Sequence, residues 1–223
     1  MTPSTLRLST VHRSALRRRI ALGSAAAIGG ALGAGALVFA SVPASSASPA
    51  AEDDTPTCMG EQATIVGTSG DDEIVGTHGK DVIVSLRGAD EIDGRGGDDV
   101  ICANRGDDEV EGSRGADQIF GGNGDDEIAG ERGRDYLGGD DGADDLEGGP
   151  ATDQIWSGRG HDRARGNHAA DHIHGNRGRD DLGGGRGGDL VEGDEGRDEV
   201  RGGPGHDRVF QGTWPFDHDR RTR

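Results

Sequence analysis

Aromatic residues make up only 3% of this 223-residue chain: two Trp, one Tyr and four Phe. A conventional globular core is hard to build without them, because rings supply much of the buried area of ordinary domains. Cysteine is nearly absent as well. Two residues, Cys58 and Cys102, cannot make a disulfide framework, and C-x-x-C zinc spacing is missing. Basic charge is short: the formal net charge is −18, and residues 1–47 carry five Arg and no acid, so the remainder stands at −23. Such a chain has no electrostatic reason to bind nucleic acid phosphates. Low hydrophobicity with high net charge would ordinarily mean disorder.

Periodicity overrides that reading. From Gly67 to Phe210 one nine-residue phrase is repeated sixteen times without an insertion, most cleanly as Gly121-Gly122-Asn123-Gly124-Asp125-Asp126-Glu127-Ile128-Ala129. The sixth position is always Asp: Asp72, Asp81, Asp90, Asp99, Asp108, Asp117, Asp126, Asp135, Asp144, Asp153, Asp162, Asp171, Asp180, Asp189, Asp198 and Asp207. Two residues later sits an aliphatic side chain, from Ile74 to Val209, with Ala164 as the exception. Gly opens thirteen copies and holds the fourth place in fourteen. One aliphatic residue in nine cannot fill a globular core, but stacked turns can align them in a narrow continuous one.

The pattern G-G-x-G-x-D-x-U-x, with U a large aliphatic residue, resembles the RTX or hemolysin-type calcium-binding repeat. The resemblance implies an all-β fold, a parallel β-roll or β-solenoid, with calcium bound along its turns. The residues agree with it. Gly at the first and fourth places permits tight turning and φ > 0, and the last three residues alternate as a short strand with the aliphatic one inward. Two copies then make one turn, odd copies on one sheet and even copies on the other, about eight turns in all. Calcium takes six to eight oxygens from carboxylates and carbonyls, which Asp and a Gly-rich turn provide. By resemblance, an ion lies between successive turns on one edge, pairing Asp residues eighteen apart, so sixteen Asp allow at most 14 sites. A mere turn preference would scatter among Asp, Asn and Ser. The worst copies lie between residues 148 and 174, where Ala151 and Ala169 replace Gly, and the weakest sites are expected there.

The flanks read differently. Residues 1–47 resemble an export signal: Arg13, Arg17, Arg18 and Arg19, an apolar run from Ile20 to Ala40, then small residues at Ser45-Ser46-Ala47. Arg17-Arg18-Arg19-Ile20 is a loose twin-arginine pattern. The expectation is a secreted, extracellular protein with no stable membrane span after cleavage. RTX proteins more often carry a C-terminal secretion signal, so the route departs from the family. Residues 48–57 have linker composition, residues 58–66 look like a degenerate capping repeat, and residues 211–223 form a C-terminal cap and tail with Trp214 and Phe216 as a lid. Two cysteines in an exported chain suggest one disulfide, Cys58 to Cys102.

Outside the repeats too few residues remain for a catalytic domain, and G-x-S-x-G, H-E-x-x-H and P-loop motifs are absent. No enzyme is expected. His161, His168, His172 and His174 cluster in sequence, so a zinc or copper site is conceivable beside the plainer reading of exposed polar residues. The outward positions differ by sheet. Odd copies offer Glu73, Glu91, Glu109, Glu127 and Asp145; even copies offer Val82, Val84, Val100, Cys102, Phe120, Tyr136, Trp156, Leu190 and Phe210. Two functions follow. One is a secreted calcium-binding repeat protein that folds on export. The other is an extracellular adhesion or interaction module with structural calcium, its partner or second copy docking on Phe120, Tyr136 and Trp156.

Overall fold

A computed structural model describes residues 55–212, and every regular element among them is a β-strand. The signal, linker start and C-terminal lid expected from the sequence lie outside these residues. The odd copies supply eight parallel strands, from Glu73–Val75 to Glu199–Arg201, and the even copies supply a second parallel sheet, from Val82–Val84 to Arg208–Phe210. Partners are eighteen residues apart: Ile74 faces Ile92, and Ile83 faces Ile101. That offset is two nonapeptides per turn, so the chain forms a parallel β-roll of about eight turns, as expected.

The inward residue of each strand builds the core. Ile74, Ile83, Ile92 and their successors to Val200 form one continuous buried column between the sheets. Ala164 belongs to it, fully buried between its in-register neighbours Leu146 and Leu182. The column is thin in energetic terms. Each buried aliphatic side chain contributes about 1.5–3 kcal/mol, while fixing the backbone of nine residues costs roughly 9–18 kcal/mol. Hydrogen bonds and electrostatics must supply the difference, which directs attention to the turns.

Those turns depart from the sequence expectation in two ways. Strands do not stop after three residues: Val100–Arg105, Gln118–Asn123 and Tyr136–Asp141 run on into the turn, and Arg159–Gly160, Arg177–Gly178 and Glu195–Gly196 pair along the edge. Turn backbone is itself laddered, because a polar edge repeated in register can pair with its neighbour. The left-handed backbone also falls at the second and fourth positions, not the first. Leu86, Arg95, Asn104, Ser113, Glu131, Asp140, Asn167, Asn176 and Asp194, all second-place residues, have φ between 60° and 86°. Asn and Asp tolerate that region; Leu86 and Arg95 occupy it because the neighbouring turns dictate the path.

At the N-terminal end, Ile65–Val66 adds one more parallel strand below Val82–Val84, and Thr57–Cys58 pairs antiparallel with Glu61–Gln62. Cys58 and Cys102 are disulfide-bonded, with Cα atoms 5.8 Å apart. The bridge lays the segment over the even sheet, where Cys58, Val82, Val84 and Val100 form a second buried cluster.

Candidate metal sites

From the third copy onward, each copy aims its sixth-place carboxylate at the turn before it. One carboxylate oxygen, Oδ1, accepts a hydrogen bond from the backbone N–H of the Asp eighteen residues earlier. Asp72 N–H donates to Asp90, Asp81 to Asp99, and so on through Asp189 to Asp207: fourteen such bonds of 2.8–3.1 Å. Odd copies bond only to odd, and even only to even, so the Asp residues form two separate rows. All sixteen expected site residues fall on these rows, and the pairs are those expected from the sequence. Asp81 to Asp189 are buried; Asp72, Asp198 and Asp207, at the ends, are partly open.

The second oxygen has no such partner. In thirteen Asp residues, Asp90 to Asp198, Oδ2 is buried and makes no hydrogen bond. An orphaned buried carboxylate oxygen is costly, and it recurs here in thirteen consecutive copies. The first two copies differ. Thr68 and Thr77 donate their backbone N–H groups at 2.6 Å to Oδ2 of Asp72 and Asp81, closing those oxygens locally.

Further oxygens converge beside the orphans, which explains the glycines. A Cβ built on Gly112 would stand 2.7 Å from Asp117 Oδ2 and 3.0 Å from the Gly130 carbonyl of the next turn; on Gly175 it would meet Asp180 Oδ2 at 2.8 Å and the Gly193 carbonyl at 2.7 Å. First-place Gly therefore serves space rather than φ, and Ser85, Ala103 and Ser157 show that a small side chain is also accepted there. Fourth-place Gly serves the same cradle from the other side. A Cβ on Gly115 would collide with the Gly97 carbonyl and lie 3.0 Å from Asp117 Oδ1. Carboxylate and carbonyl oxygens around a space kept free of carbon are a donor set for a hard cation such as calcium.

Electrostatics say the same. Burial, with the neighbouring carboxylates adding to it against a lowering backbone hydrogen bond, pushes Asp117, Asp126, Asp144, Asp171 and Asp180 up to about 7. Asp153 rises to about 7 for the same leading reason, and Asp108 and Asp135 rise to about 6. Carboxyl groups held this far above their usual range are poised for exchange of a proton against a cation.

Two features of these edges were missed in the sequence. Fifth-place Asp residues make a second ladder, Asp71, Asp98, Asp107 and Asp125 each accepting from the fifth-place N–H one turn later at 2.8–2.9 Å. Their signal was the doublet Asp-Asp, as in Asp125-Asp126. The degenerate copies, moreover, do not interrupt the main rows. Asp153, Asp162 and Asp171 keep their bonds at 2.9–3.0 Å, with Ala169 taking a left-handed φ of 78° in place of Gly.

The two sheet faces divide largely as expected. Glu73, Glu91, Glu109, Glu127 and Asp145 stack in register on the odd sheet, and burial together with Glu127 and Glu91 raises Glu109. Beyond Asp145 the column turns mixed: Arg163 bonds Asp145 at 3.1 Å and Arg201 bonds Asp181 at 2.7 Å. On the even sheet Phe120, Tyr136 and Trp156 lie on one face, with ring centroids 5.4 and 4.6 Å apart. Of the sequence's histidine cluster, His172 and His174 come together with Glu192, and His161 and His168 do not join that group.

A parallel β-solenoid with cation-ready acidic turns on both edges is a defined class of protein. The family model of the RTX calcium-binding nonapeptide repeat matches overlapping segments that together span residues 64–210. The chain belongs to that family. No curated protein matches it. No helix among the described residues is long and apolar enough to cross a membrane.

Proposed function

We propose that this chain is an exported calcium-binding protein whose sixth-place Asp rows hold the ions, and that binding them folds the roll. The reading rests on one observation above all: thirteen successive Asp Oδ2 atoms are buried without a partner. Asp90 to Asp198 would hold the ions with the adjoining first- and fourth-place carbonyls, and Asp72, Asp81 and Asp207 would complete the row ends. Fourteen Asp pairs set the upper limit on sites. Calcium supplies positive charge between turns; the chain supplies oriented oxygens, a dry aliphatic column and a backbone ladder. Without the ion, stacked carboxylates repel and the thin core does not offset chain entropy, so binding free energy becomes folding free energy. Residues 1–47 support export to a calcium-rich exterior, with residues 58–66 and 211–223 as caps. Circular dichroism and hydrodynamic size of the chain lacking residues 1–47 test this. A calcium-dependent gain of β signal and compactness is expected; equal signal and size in excess chelator would refute it.

A second reading is favoured by the ring ladder from Phe120 through Tyr136 to Trp156. Part of the apolar face is covered by the disulfide-tethered cap, with Phe120 packed against its edge, and Tyr136 and Trp156 beyond it stay half-buried. In this reading calcium is structural, and the even sheet binds a partner or a second copy. Sedimentation of calcium-loaded chain distinguishes self-association: Tyr136→Ser should shift a dimer to monomer, and a monomeric parent at high concentration removes that form of the reading.

A further inference from the structure

We propose that His172, His174 and Glu192 form a site for one divalent transition-metal ion of the zinc or copper class, separate from the calcium rows. The strand His172–His174 points both imidazoles outward while Ile173 enters the core fully buried. The rings lie 4.6 Å apart between centroids. The next strand, Leu190–Glu192, pairs in register so that Glu192 stands beside His174. One ligand atom from each of the three residues falls within 4.8 Å of the others. This is within closing distance for a metal with nitrogen and oxygen ligands near 2.0–2.2 Å.

The hydrogen bonding of the cluster is incomplete in a way a cation resolves. His172 Nε2 is buried and has no partner. His174 Nδ1 faces two carboxylates, Asp194 Oδ2 at 3.0 Å and Glu192 Oε2 at 3.4 Å. One proton on that nitrogen serves one carboxylate well, whereas a divalent ion among them attracts both. Two imidazoles with one carboxylate suit zinc or copper; calcium prefers an all-oxygen shell. The adjacent strand fixes the geometry from the other side, since Trp156 stacks on His174 at 5.5 Å and 18° between planes. Asp194, in the turn after Glu192, adds negative charge next to the site.

The test uses the full chain saturated with calcium, so that zinc cannot be credited to the Asp rows. Calorimetric titration with Zn2+ alone should show one ion per chain. His172→Ala with His174→Ala should weaken that event about tenfold or more, Glu192→Gln should weaken it as well, and His161→Ala with His168→Ala should leave it unchanged. Cu2+ should quench Trp156 emission in a Trp214→Phe background, and the His172→Ala, His174→Ala pair should remove the quenching. Calcium-dependent circular dichroism checks that each variant is folded. Should the double variant misfold, Glu192→Gln and the copper quenching decide alone. Absence of zinc binding by the parent overturns the proposal. So does equal binding by parent and folded double variant, or zinc that added calcium displaces completely.

Discussion

Replacing Asp126 by Asn separates the two tasks of a sixth-place carboxylate. Oδ1 of Asp126 accepts from Asp108 N–H at 2.9 Å, and an Asn carbonyl can keep that bond. Oδ2 is buried without a partner, and an amide there supplies neither charge nor a cation ligand. The consequences have opposite signs with and without calcium. In the calcium-free roll, burial lifts Asp126 to about 7. Keeping it ionised at pH 8 in that state costs on the order of 4 kcal/mol relative to an ordinary carboxylate, and Asn removes the cost. With calcium, the same change deletes a charged ligand from the site, or pair of sites, that Asp126 shares with Asp108 and Asp144. Two assays separate these effects. Equilibrium dialysis at saturating calcium should find one or two fewer ions per chain. In chelator at pH 8, the concentration of a folding osmolyte needed to restore β signal should fall relative to the parent. Unchanged ion stoichiometry, or a chelated variant that needs more osmolyte, would refute the assignment of Oδ2 as a cation ligand.

Other perturbations follow from the same geometry. Asp108→Ala should weaken the two sites shared with Asp90 and Asp126 and spare Asp99 and Asp117, because the rows do not cross; equal loss on both rows, read by site-resolved NMR, would contradict the two-repeat turn. In calcium-stripped protein the raised Asp values, from 3.8 to about 7 for Asp117, Asp144 and Asp180, mean that the folded state holds more protons than the unfolded chain between about pH 4 and 7. Its stability is full below that window and lost as pH rises through it, so circular dichroism should show β signal declining from about pH 4 to 7, and a flat profile would sink the idea. Reducing Cys58–Cys102, which are 44 residues apart, should cost about 2–4 kcal/mol in urea unfolding at saturating calcium and uncover Val82, Val84 and Val100 to a hydrophobic dye. No loss on reduction would mean the cap holds without its tether.

The register of this fold could be read directly from the chain, because an invariant Asp and an inward aliphatic residue every nine positions leave one way to stack. Pairing eighteen residues apart, the two sheets and the buried column all follow from that count, and the Cys58–Cys102 bridge followed separately from there being two cysteines in a chain read as exported. What the pattern hid was the division of labour among the turn residues. Gly at the first place looked like a φ requirement and proved to be a space requirement, since the collision at Gly112 involves Asp117 and Gly130, the latter one turn away. The left-handed second place was masked because only five of its residues are Gly, although Asn104, Asn167 and Asn176 there were a usable sign. The His174–Glu192 pairing was hidden for a related reason. The two lie eighteen residues apart, and only the turn length makes them neighbours.

One carboxylate per nonapeptide couples the roll's two weaknesses. The aliphatic column is too narrow to hold the turns together, and the turns carry charge that pushes them apart. Asp Oδ1 ties each turn to the one before it through the backbone, while Oδ2 leaves a buried negative charge at the same contact. A turn is therefore in register before it is neutral, and neutralising it stabilises a geometry already specified by hydrogen bonds. That explains why the degenerate copies around Ala151, Ala164 and Ala169 keep the ladder intact. Their glycine and core losses weaken individual turns, but the Oδ1 bond that sets the register needs only Asp, and no copy has given it up. A change at the sixth place should thus disturb both neighbours in its row. A change at the first or fourth place should act on one cradle, which makes the sixteen-fold Asp the least substitutable residue in the repeat.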